Sequence, residues 1–109
     1  MPGKTVVLTE LMKQKVKKLG LRIKNARLRR NIKAELLARQ AGISEGTLYA
    51  IEKGKSTVSF GAYAAVFQAL GMTDDLDQIG LDEKGKQEYR EVNICRRERA
   101  GKEYKEIHN

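Results

Sequence analysis

The chain has 109 residues, with 22 Lys and Arg against 14 Asp and Glu, one proline, one cysteine and no tryptophan. This length suits one compact domain with flanking segments; a lone Cys95 excludes an internal disulfide and fits a reducing compartment, and no apolar run approaches the roughly 20 residues that span a bilayer. Residues 1–55 hold 14 Lys/Arg and 4 Asp/Glu, a net of +10, whereas residues 56–109 hold 8 and 10, a net of −2, so the first half is the one suited to a polyanion.

The opening MPGKTVVLTELMKQK lacks the long apolar stretch and small-residue cleavage site of a signal peptide, and a cytoplasmic location is expected. Thr9 is placed to cap a helix whose apolar residues recur at Leu11, Met12, Val16, Leu19, Ile23 and Ala26. Lys13, Lys17, Lys18, Arg22, Lys24, Arg29 and Arg30 take the other faces, and the lysine run from Lys13 to Lys18 reads as a solvated face or as a DNA contact. Gly20 interrupts the stripe, which leaves one helix or two with a bend, and Asn31 closes it.

AELLARQAG follows as a helix of about two turns, ended by Gly42 in the left-handed conformation. Ser44 then caps a helix that turns Leu48 and Ile51 inward and stops at Gly54. After the polar Lys55, Ser56 and Thr57, Ser59 caps a helix with Phe60, Tyr63, Ala64, Phe67 and Leu70 on its apolar face, ended by Gly71. Thr73 caps DDLDQIG, whose early aspartates suit a helix N-terminus.

From Asp82 onward 8 Lys/Arg stand against 7 Asp/Glu, with too little apolar material to fold alone. The chain thus reads as all-α. Residues 1–18 form an N-terminal helical extension, 19–81 a compact five-helix domain, and 82–109 a charged tail with helical tendencies at Gln87–Val92 and Lys102–Ile107.

The two short helices that meet at Gly42 carry apolar residues at Leu37, Ala38, Ala41, Ile43, Leu48 and Ile51. Gly42 gives the turn its backbone, a small Ala38 lets the second helix cross closely, and the larger residues bury the pair against the remainder. This frees the outer face of the second helix to enter a major groove, while the start of the first points amides at phosphate.

Through LGLRIKNARLRR (Leu19 to Arg30), the motif Ala34–Lys53 and FQALG (Phe67 to Gly71), the sequence resembles the lambda-repressor/Cro-like (XRE) helix-turn-helix family. The resemblance implies a double-stranded DNA operator as partner. Ala34 opens the first motif helix and Ser44 caps the recognition helix. Glu45, Gly46, Tyr49 and Ala50 stand where the family reads base edges, with Thr47 beside them. Lys33, Lys53, Lys55 and Thr57 stand where it grips phosphates. It further implies an ion pair between Arg27 and Glu52.

Lys33 and Ala34 replace the family's Ser/Thr–Gln, which removes a glutamine contact. Gly46 and Ala50 are too small to hydrogen-bond bases, so readout falls on Glu45 and Tyr49. Glu45 as a dipole-supporting residue and Tyr49 as a cover of the core edge are the alternative readings.

LGxRIKxARLRR, the acidic Asp74, Asp75 and Asp77, and the late cluster Arg96, Arg97 and Arg99 together resemble HipB-like antitoxins, which repress their own operon and bind a HipA-type kinase toxin. A stand-alone phage- or mobile-element-type repressor and an interaction module that does not read DNA are the competing functions. The arginine cluster suits a DNA minor groove, and Tyr89, Ile94 and Tyr104 suit a protein partner. A homodimer is expected, through Leu76, Ile79 and Leu81, with Val6–Leu11 as the next candidate. His108 and Cys95 are isolated, and neither catalytic pairing nor metal-ligand spacing is visible, so no enzyme activity, metal or cofactor is expected.

Overall fold

The computed structural model describes residues 6–85. The chain divides after Asp77, and the four α-helices named next belong to the first unit. They are α1 (Glu10–Arg29), α2 (Ala34–Ala41), α3 (Glu45–Glu52) and α4 (Phe60–Ala69), followed by a 3-10 helix at Thr73–Gln78. The fold is all-α, with no strand among the described residues.

Three of the four α-helix starts are capped locally. The hydroxyls of Thr9, Ser44 and Ser59 accept from the amides of Met12, Thr47 and Ala62 at 3.1, 3.0 and 3.2 Å. These bonds satisfy donors that a helix cannot satisfy itself. The start of α2 is different: its N-cap is Lys33, which supplies no side-chain bond.

The helix ends share one device. After α2, the Ile43 amide reaches back to the Ala38 carbonyl at 2.9 Å and the Gly42 amide to Arg39 at 3.1 Å. This paired closure requires a left-handed residue, and Gly42 sits at φ +74. The same pairing closes α1 around Asn31, α3 around Gly54 and α4 around Gly71. Each helix therefore stops within one residue, and only three residues, Gly42, Ile43 and Ser44, separate α2 from α3.

The core gathers Ile23 and Ala26 from α1, Leu37 and Ala38 from α2, Leu48 and Ile51 from α3, and Tyr63, Val66, Phe67 and Leu70 from α4. On α4 the inward spacing is Tyr63, Val66, Phe67, Leu70. The expected stripe is thus shifted: Val66 is fully buried, whereas Phe60, the first helical residue, is 67% exposed beyond the edge of the core. A similar correction applies to α1, which overhangs the bundle. Leu11 and Met12 are exposed, and burial begins with the half-buried Val16 and Leu19.

Leu76, expected at a dimer interface, is half-buried and packs on the core instead. Ile79 and Leu81 are exposed. The fifth element is 3-10 rather than α-helical, in keeping with its six residues, too few to repay α-helix nucleation.

Gly20 does not bend α1, which runs unbroken for 20 residues and across position 18. It is buried because the C-terminal turn of α3 lies directly on it. A Cβ at Gly20 would stand 2.6 Å from the Gly54 nitrogen and the Ile51 carbonyl oxygen, and 2.8 Å from the Glu52 carbonyl oxygen. Reciprocally, a Cβ at Gly54 would stand 2.5 Å from the Lys17 Cα and 2.6 Å from the Val16 carbonyl oxygen. All of these neighbours are backbone, so neither side can yield cheaply. Two glycines in register let the α1 and α3 backbones touch, and that contact offsets what a mid-helix glycine costs, about 1 kcal/mol relative to alanine.

Gly20→Ala should therefore destabilise the fold by about 1–3 kcal/mol through overpacking, although the same change in an exposed helix stabilises. Urea denaturation followed by circular dichroism checks the sign. A variant as stable as the parent would mean that the two backbones are not in contact.

Candidate nucleic-acid interface

The arrangement α2–Gly42–Ile43–Ser44–α3 holds two eight-residue helices at a fixed angle. What fixes α3 against α1 is a polar fork. Arg27 Nε donates to Glu52 Oε2 at 2.7 Å, Nη2 donates to Glu52 Oε1 at 3.1 Å, and Nη1 donates to the Ile32 carbonyl at 3.0 Å. One guanidinium thus ties together α1, the link into α2 and the end of α3. The two side chains are 11% and 10% exposed, and hydrogen bonding with Glu52 holds the Arg27 pKa above its ordinary value against the opposing effect of burial. No buried side-chain nitrogen or oxygen among the described residues lacks a hydrogen-bond partner.

With its inner face committed through Leu48 and Ile51, α3 turns Glu45, Gly46 and Tyr49 to solvent, and leaves Thr47 and Ala50 half-buried. Thr47 is engaged by the cap: its amide donates to Ser44 Oγ, and the Ser44 hydroxyl lies 3.0 Å from Thr47 Oγ1. Around Gly46 there is open space apart from Ser44 Oγ at 3.8 Å.

Tyr49 is 62% exposed, which does not fit a residue that covers the core. The Lys53 ammonium lies 4.7 Å from its ring centroid, a cation–π distance. The phenol pKa is lowered, chiefly by hydrogen bonding and charge from Lys53, with further contributions from Lys24 and Lys55. Lys53 thus sits on Tyr49, and Lys24 of α1 and Lys55 of the loop after α3 add positive charge to its surroundings.

That loop is held as well. The Tyr63 hydroxyl donates to the Lys55 carbonyl at 2.6 Å, and the Lys55 amide donates to Ala50 at 3.0 Å. Burial raises the Tyr63 pKa, which keeps the phenol a donor. Lys53, Lys55 and Thr57 are exposed beside α3, while Lys33 is exposed at the uncapped start of α2, next to the half-buried Ala34. Lys24 is the lysine that sequence reasoning did not assign. Its signal was its spacing of four from Gly20, which puts it on the α1 edge that borders α3. Arg96, Arg97 and Arg99, the proposed partner residues Tyr89, Ile94 and Tyr104, and Cys95 and His108 lie outside the described residues.

Two short helices joined by a Gly turn, the second capped by Ser44 and exposed on its outer face beside Lys53 and Lys55, define a helix-turn-helix DNA-binding domain. Residues 18–78 match the model of the helix-turn-helix domain family, and the chain belongs to that family. No curated protein and no solved structure matches the chain. Among the described residues no helix is long and apolar enough to cross a membrane, and no group of three or more His, Cys, Asp or Glu could hold a metal ion.

Arg27→Ala or Glu52→Ala should each cost about 3–5 kcal/mol, because the partner is left charged and buried. Arg27→Met combined with Glu52→Met should cost less than either single change, since no charge is then stranded. Urea melts of the three variants measure this. A double variant with the sum of the single losses would mean that the two side chains act independently.

Proposed function

We propose that the chain is a sequence-specific transcriptional repressor of the lambda-repressor/Cro-like (XRE) type, acting in the cytoplasm. The observation that carries this reading is the exposed Tyr49 face of α3, with Lys53 over the Tyr49 ring and the exposed Lys55 in the loop that follows. In this reading α3 enters the major groove. Glu45 accepts from cytosine N4, Tyr49 contacts base edges, and Ala50 meets a thymine methyl. Lys33, with the free amides at the start of α2, and Lys53, Lys55 and Thr57 grip phosphates on either side. Ser44, Gly46, Thr47 and Ala34 shape the backbone that approaches the duplex. The repressor binds as a homodimer with recognition helices about 34–36 Å apart, one turn of DNA. Ile79 and Leu81, then Val6, Val7 and Leu11, are the exposed apolar residues available for pairing.

The narrower role is that of an autoregulatory, HipB-like antitoxin whose tail binds a HipA-type kinase. It is supported by the motif resemblance and by the mixed charge of residues 82–109, which gains little from phosphate. Co-purification of the full chain with a kinase-like protein encoded alongside, lost when the chain ends at Leu81, is the expected result. Retention of the complex by the shortened chain would remove the tail from this role.

Binding to a selected operator should fall roughly 10³–10⁵-fold between 50 and 200 mM salt if a dimer neutralises about 6–10 phosphates. Lys33→Ala and Lys55→Ala should weaken all sequences alike and flatten that dependence, whereas Glu45→Ala and Tyr49→Ala should change which sequences are preferred. Competitive selection from a random duplex pool, repeated for each variant, separates the two classes. Equal shifts in preference from both would overturn this division of contacts.

A further inference from the structure

The helix-turn-helix match begins at residue 18, but α1 begins at Glu10 and continues through that point without a break. At roughly 100° per residue, Lys13, Lys17 and Lys24 lie within about 60° of Gly20 around the helix axis. Gly20 is the point at which α3's C-terminal turn rests on α1, and the same turn closes on the Lys17 backbone through Gly54. The stripe therefore runs along the α1 edge that borders α3 and the turn carrying Lys53 and Lys55. Lys13 also pairs at 3.2 Å with Glu10, both groups being exposed, so Lys17 and Lys24 carry most of the free positive charge. Lys15 and Lys18 fall on the far side of α1, roughly 140–160° from Gly20.

We infer that the Lys13–Lys17–Lys24 edge of α1 is a second phosphate-binding track, which follows the DNA backbone beyond the segment that α3 and its loop engage. The inference rests on the DNA-binding reading above and adds to it a surface outside the recognition motif. The track spans about 16 Å at 1.5 Å per residue, long enough to meet two or three successive phosphates of one strand. Its occupant is the backbone of the same duplex, because the edge is continuous with the recognition surface and opposite to phosphate in charge. The lysines sit on a rigid helix held at Gly20 and Arg27, so docking α3 brings the track to the backbone without a separate ordering step.

The test uses the full chain and a fluorescein-labelled, mixed-sequence duplex of 30 base pairs, with anisotropy titrations across a range of salt concentrations. Lys17→Gln/Lys24→Gln should flatten the log–log salt slope by about 1.8 per bound chain, at 0.9 per lost phosphate contact. Lys15→Gln/Lys18→Gln removes equal charge from the far side and should leave the slope within experimental error. Lys55→Gln serves as the reference contact of the recognition surface.

If the two double variants flatten the slope equally, net charge alone is at work and the track is overturned. If only Lys55→Gln has an effect, the track is overturned while the helix-turn-helix reading stands. If the parent chain fails to bind the duplex at low salt, the DNA-binding reading falls and the track with it. Circular dichroism melts of each variant ensure that the folded state is being compared, and Gln at exposed helical positions preserves it.

Discussion

The Arg27 guanidinium is where the architecture is decided, because its three donated bonds tie α1, which carries it, to two other segments: two bonds go to the Glu52 carboxylate at the end of α3 and the third to the Ile32 carbonyl ahead of α2. A fork of this geometry fixes direction as well as distance. Its near-complete burial makes any alternative pose for α3 expensive, since a displaced helix would leave a charge without water or partner. A recognition surface depends on the angle at which one short helix leaves the body of the domain. Apolar packing through Leu48 and Ile51 holds α3 down but tolerates small slides; the fork removes that freedom.

A second constraint works at the same end of α3. Gly20 and Gly54 let α1 and the α3 turn meet backbone to backbone, and this same turn carries Lys53 and Lys55. An eight-residue helix is too short to be stable on its own propensity. Its N-terminus is closed by Ser44, its C-terminus by the turn at Gly54, and its last charged side chain by Arg27. α3 is thus held at both ends although it is among the shortest helices. Preorganisation of this kind lowers the entropy lost when a partner binds.

How far the sequence was legible follows from which interactions are local. Caps at Thr9, Ser44 and Ser59, and stops at Asn31, Gly42, Gly54 and Gly71, depend on side chains within a few residues of one another, and composition alone marks them. The inner residues of α2 and α3 follow from a spacing of three and four. What periodicity does not reveal is where a stripe runs out of partner. Leu11, Met12 and Phe60 continue their stripes but lie past the core, and Leu76 finds a core partner that the sequence did not suggest. Gly20 was open to a bend because its compensation lies in a residue 34 positions away. The basic surroundings of Tyr49 were half visible: Lys53 and Lys55 are sequence neighbours, whereas Lys24 arrives only through the crossing of α1 and α3.

The side chains on α3 also set what kind of recognition is available under the proposed reading. Gly46 and Ala50 bring backbone close to a base-pair edge but supply no hydrogen-bonding reach, so Glu45 and Tyr49 are left to distinguish bases. A good side-chain-to-base contact is worth about 1–3 kcal/mol of discrimination, and two of them separate a small number of sequences. Lysines contribute affinity that is nearly blind to sequence. A repressor with few readers and many grips gains selectivity in two further ways: by doubling its contacts through a dimer with fixed spacing, and by requiring a backbone path that only some sequences adopt at low cost. Both demand a rigid platform, because a helix free to swivel would accommodate any groove. The buried fork and the glycine crossing supply that rigidity, and this links the buried Arg27 guanidinium to the selectivity of the solvent-facing side of α3.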